Sequence, residues 1–77
     1  MNESIEVTDL GLAAFLSARG YLVLRLEGRP GRRTFVFPEA ARDDCRACFA
    51  GAPVEARAYY ESLRSSKALV HNAELMR

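Results

Sequence analysis

Hydrophobic and polar positions alternate in two runs between residues 21 and 37, YLVLRLE and RRTFVF, joined by an arginine-rich turn. In the first run Leu22, Leu24 and Leu26 share one face, while Tyr21, Val23, Arg25 and Glu27 share the other. In the second run Arg33, Phe35 and Phe37 alternate with Thr34 and Val36. Between them, Gly28-Arg29-Pro30-Gly31 has the chemistry of a type II turn: proline pre-sets φ and the glycine after it accepts a positive φ. The pattern predicts a β-hairpin. Two strands do not stand alone in water, so the rest of the chain must cover them or a second copy must.

The flanking segments switch to a helical period. Leu12, Phe15, Leu16 and Arg19 recur at helical spacing, with Leu10 and Ala13 beside them. Thr8 is placed to cap this first helix, Asp9 to favour its positive end, and Gly20 to close it, which predicts a helix over residues 9–19. Pro38 ends the second strand and opens a second helix whose apolar stripe is Ala41, Cys45, Cys48 and Phe49. Gly51 and Pro53 end it. A third helix is predicted over residues 53–72, with Ala56, Tyr59, Tyr60, Leu63 and Val70 along one side and Glu55, Arg57, Glu61 and Arg64 spaced to pair on the other.

The expected fold is α+β in the order α-β-β-α-α: a two-stranded antiparallel hairpin packed by three helices in a single small domain over residues 8–72. Residues 1–7 read as a flexible terminus, with a short edge strand around Ile5 and Val7 as the alternative. Residues 73–77 read as a tail or a last helical turn. The expected core is Leu12, Phe15, Leu16, Leu22, Leu24, Leu26, Phe35, Phe37, Cys45, Phe49, Tyr60, Leu63 and Val70. A lone hairpin leaves edges uncovered, so a homodimer is expected.

Composition places the chain among ordinary globular domains: 77 residues, 49% hydrophobic, 27% charged, net charge +1. A domain this short buries only about 60% of the surface of its unfolded chain, so its core is small. No apolar run approaches the ~20 residues that span a bilayer. The opening MNESIEV lacks the basic and apolar regions of a secretion signal, which makes a cytoplasmic location and reduced thiols the expectation.

Cys45-Arg46-Ala47-Cys48 is a CxxC, but a zinc site needs about four ligands and only His71 offers a third. Cys45 also falls inside its helix and not at the N-terminus, where a thiol is activated. Two small residues on a packing face explain the pair better. His71 and Asn72 have no evident nucleophile with an orienting third group. Gly28 and Gly31 lie in a turn with no GK[ST] after it, so no phosphate loop is present. No catalytic residue, cofactor or metal site is expected, and the chain reads as a non-enzymatic binding domain.

Charge placement is the uneven feature. Arg25, Arg29, Arg32 and Arg33 face Glu27 alone in the hairpin, and the third helix adds Arg64, Lys67 and Tyr59. Arginine forks on phosphates, with tyrosines stacking on bases, would make these residues a nucleic-acid surface for DNA or RNA. The same pattern also fits a solvated turn and an ordinary charged helix face. Two further readings stand beside it: a protein-interaction module or adaptor acting as a homodimer, and, ranked last, a CxxC thiol or zinc protein.

The segments TDL, AAFL and GY, then TFVF, then YY and LRSSK resemble a small bacterial and phage domain family of unestablished function. The resemblance runs over residues 7–72. It implies the same order of elements and no enzymatic role, and it transfers no catalytic residue. CxxC is not part of its pattern.

Overall fold

Phe35, Val36 and Phe37 sit at the centre of the sheet because strands flank them on both sides. In a computed structural model describing residues 4–75, β1 (Ser4–Val7), β2 (Arg25–Arg29) and β3 (Arg32–Pro38) form an antiparallel sheet in the order β1-β3-β2. Helix α1 (Leu10–Ala18) follows β1; a 3-10 turn (Glu39–Ala41), α2 (Arg42–Phe49) and α3 (Ala56–Leu75) follow β3. The fold is α+β with three helices, as expected, but the sheet has three strands and the order is β-α-β-β-α-α. The flexible terminus is corrected over residues 4–7; for residues 1–3 it lies outside the described residues, as do residues 76 and 77 of the expected tail. Residues 73–75 are helical.

The register explains why β1 forms. Val7 stands opposite Phe35 and Ile5 opposite Phe37, while Leu26 meets Phe35 from the other side. Cross-strand partners share a face, so these side chains make one apolar surface. It merges with Ala13, Phe15 and Leu16 of α1 and with Ala41 into the main core. Burying two aliphatic side chains contributes about 1.5–3 kcal/mol each, enough to hold four residues that carry little strand signal of their own. The thinnest dimension of 17 Å admits two layers, a sheet and its helices.

The two sides of the hairpin differ in regularity. Leu24 donates its N–H to the Val36 carbonyl (2.7 Å), yet Arg25 is the residue opposite Val36. Leu24 and Arg25 thus share one partner, the two-against-one count of a β-bulge. The bulge flips the side-chain phase, so Tyr21 and Val23 pack with Leu26 against the core. Leu22 (79% exposed) and Leu24 (52%) turn outward, against expectation. Phe49, the last residue of α2, and Tyr60, on the outer side of α3, are also exposed and leave the expected core. Leu12, Leu26, Cys45, Leu63 and Val70 are half-buried, while Phe15, Leu16, Phe35 and Phe37 are buried.

Local chemistry sets the helix ends. The α1 cap is Asp9 and not Thr8: its carboxylate accepts from the Leu12 N–H at 2.8 Å. At the other end Tyr21 donates to the Leu16 carbonyl and Gly20 to that of Ser17, a Schellman closure. Arg19 then reaches Asp44 (3.3 Å) and the Pro53 carbonyl (3.1 Å), tying α1 to α2 and to the segment before α3. Glu55 accepts from the Arg57 and Ala58 N–H groups and so starts α3. Small residues line the contact of α1 with α3: Ala14 is fully buried, Ser66 is 4% exposed, and a Cβ on Gly11 would stand 3.3 Å from the Tyr59 hydroxyl.

Candidate functional site

A shallow concavity lies where the hairpin tip meets the C-terminal half of α3. Arg29 and Arg32 face each other across the two-residue loop Pro30-Gly31. Gly31 has a φ of 83°, which the type II reading requires. Gly28, one residue before the loop-closing pair, has a φ of 98°, and a Cβ there would lie 2.2 Å from the Arg32 carbonyl oxygen. Only glycine fits such a position.

The tip is clamped to α3 by one carboxylate. Glu74 Oε2 accepts from Arg33 Nε (3.2 Å) and from the Gly31 N–H (3.3 Å). Arg33 Nη1 donates to the Gly28 carbonyl at 2.7 Å. The Arg33 side chain is 14% exposed, so this charge-assisted set is shielded from water better than an ordinary surface pair.

Under the clamp runs a shallow trough of about 490 Å³. Leu10 and Val70, with the edge of Phe35, form its floor; Thr8, Lys67 and His71 form its rim. A second hollow of about 580 Å³ adjoins it, sharing Thr8, Gly31 and Arg33 and adding Arg32 and Thr34. Lys67 and His71 lie four residues apart and so one above the other on α3. Among the described residues Arg29, Arg32, Lys67 and His71 form no ion pair, and Glu74 is engaged by Arg33. Arg32 and Lys67 therefore leave the joined hollows with excess positive charge, and the first of them has an apolar floor.

The structure brings some of the sequence-derived site residues together and separates others. Arg32, Arg33 and Lys67 line the joined hollows, while Arg29, opposite Arg32 in the hairpin, lines neither. Arg25 lies on the opposite sheet face from Arg33 and is paired with Glu27. The Arg64 guanidinium lies 5.9 Å from the Tyr60 ring centroid, outside the trough. Tyr59 is half-buried between α1 and α3. The exposed ring at the trough is that of His71, for which the sequence pattern predicts no role. Its four-residue spacing from Lys67 was the signal available.

Cys45 and Cys48 are free, half-buried thiols on α2 that pack against the core. Burial, reinforced by the neighbouring Cys48, pushes the Cys45 thiol above its ordinary value, which disfavours the reactive thiolate. Among the described residues no three His, Cys, Asp or Glu side chains gather into a group able to hold a metal ion, and no helix is long and apolar enough to cross a membrane.

Compared with known proteins, the chain matches no family model, no curated protein and no solved structure.

Proposed function

We propose that this chain is a small non-enzymatic binding domain that associates with nucleic acid through the hairpin tip and α3. The observation that carries the reading is the clamp, which brings Arg32 and Arg33 of the hairpin to Lys67 of α3 around joined hollows. Arginine forks and a lysine point charge are the groups that meet phosphate oxygens. The test is binding of a labelled oligonucleotide by fluorescence anisotropy between about 50 and 200 mM salt. Affinity should fall steeply with salt, and replacing Arg29, Arg32 and Lys67 together by Ala should lower the log–log salt slope by about 2. Weak binding that the triple variant leaves unchanged would refute the reading.

A second reading rests on a different observation. β2 is an edge strand, and the exposed Leu22 and Leu24 lie on the segment that leads into it. An edge strand beside exposed leucines suits a protein-interaction module acting as a homodimer. A solution mass that is dimeric, and becomes monomeric in Leu24→Lys, supports it; a monomeric mass at high concentration refutes it.

A further inference from the structure

We propose, resting on the nucleic-acid reading of the trough, that its ligand is a single strand and that one base lies unstacked on the Leu10–Val70 floor against the His71 ring. The chemistry of the lining points there. Phosphate groups meet the rim cations and gain nothing from an apolar floor, whereas a base face does. In a duplex the base faces are stacked against their neighbours, so a duplex reaches the rim alone. The volume of about 490 Å³ suits one base with its sugar, within the range of small-molecule sites.

The arrangement of charge agrees with this division. Lys67 is one helical turn from His71, so it takes a phosphate flanking the seated base. Arg32 rims the adjoining hollow, which continues past the shared Thr8, Gly31 and Arg33 and receives the next stretch of backbone. Arg33 holds the wall in place, committed to Glu74 and to the Gly28 carbonyl, so the trough exists before the ligand arrives. Base–ring contact is tolerant of sequence, so the site selects for strandedness and not for a particular base.

The experiment compares three labelled probes of equal length, about 12 nucleotides: a thymidine single strand, an abasic single strand and a duplex. The single strand should bind roughly tenfold tighter than either of the others. His71→Ala, at an exposed position, should cost the thymidine strand roughly five- to tenfold and leave abasic binding unchanged. Val70→Ser should act in the same direction, with thermal melting to show that each variant is folded. Lys67→Ala should weaken all three probes and lower the salt slope by about 1. Equal, salt-dependent binding of the three probes would overturn the base-seating proposal and leave the nucleic-acid reading standing. No binding of any probe would overturn both.

Discussion

At its tip the β2–β3 hairpin hangs from α3: Glu74 holds Arg33 across 41 residues of sequence and the Gly31 N–H across 43. At its base no such tie is made among the described residues. There β2 is entered through a bulge at Leu24 and Arg25, Leu22 and Leu24 turn outward, and Arg25 pairs with Glu27 two residues away. The tip is over-determined by a loop, a positive-φ glycine and a long-range carboxylate, while the base follows the packing of Tyr21 and Val23. Rigid geometry is thus concentrated where the cations gather, which is where a preformed binding surface needs it.

Gly28→Ala should break the tip most severely. The left-handed backbone and the approach to the Arg32 carbonyl leave no room for a methyl group. The expected loss is about 3 kcal/mol, since strain at a positive φ is joined by a backbone clash. In a domain of this size that lowers the midpoint of thermal unfolding by on the order of 15 °C, which circular dichroism melts would read. A shift of less than about 4 °C would mean that the tip relaxes freely and is no more determined than the base.

Double-mutant cycles sharpen the same contrast. Arg33→Ala and Glu74→Ala should couple by about 1 kcal/mol, because the pair is partly shielded and makes several charge-assisted hydrogen bonds. Arg25→Ala and Glu27→Ala should couple by less than about 0.5 kcal/mol, as exposed pairs do. Equal coupling at the two ends would remove the distinction.

The same contrast shows what was legible in the sequence. Turn chemistry at Pro30-Gly31, the strand stop at Pro38 and the closure of α1 at Gly20 act within a few residues, and each is where the pattern placed it. Strict alternation put Leu22, Leu24 and Leu26 on one face, which the bulge contradicts, because a bulge answers to the partner strand and leaves no mark in the pattern. The Ile5–Val7 alternation offers a short edge strand only as the alternative to a flexible terminus, because so short a run is a weak signal, and the strand forms because Phe35 and Phe37 offer it a surface. The trough was half legible. Its arginines stood out as a cluster, but the clamp that brings Lys67 and His71 to them is a tertiary contact with no local signature.

Leu22→Ala and Leu24→Ala test the base directly. A buried leucine truncated to alanine costs about 2–5 kcal/mol. At the exposed positions found here each should change stability by less than about 0.5 kcal/mol in denaturant titration. A loss of core size at either position would restore regular alternation and remove the bulge.

The smallest effect lies just beyond the end of β3 remote from the tip, where Glu39 and Arg42 form a local pair around the 3-10 turn. The hydrogen bond from Arg42 holds the Glu39 carboxyl below its ordinary value near 4.5. A carboxylate with a depressed value in the folded state adds stability above its unfolded value and loses it as pH falls through the folded one. Glu39→Gln should therefore leave stability nearly unchanged at very low pH, where Glu39 is protonated in both states, and lower it slightly at neutral pH. The pair is solvent-exposed, so the difference should shrink in high salt. The Arg33–Glu74 coupling should shrink less, because it is shielded. If salt erased both equally, the clamp would be an ordinary surface pair and the tip would owe its order to the loop and Gly28 alone.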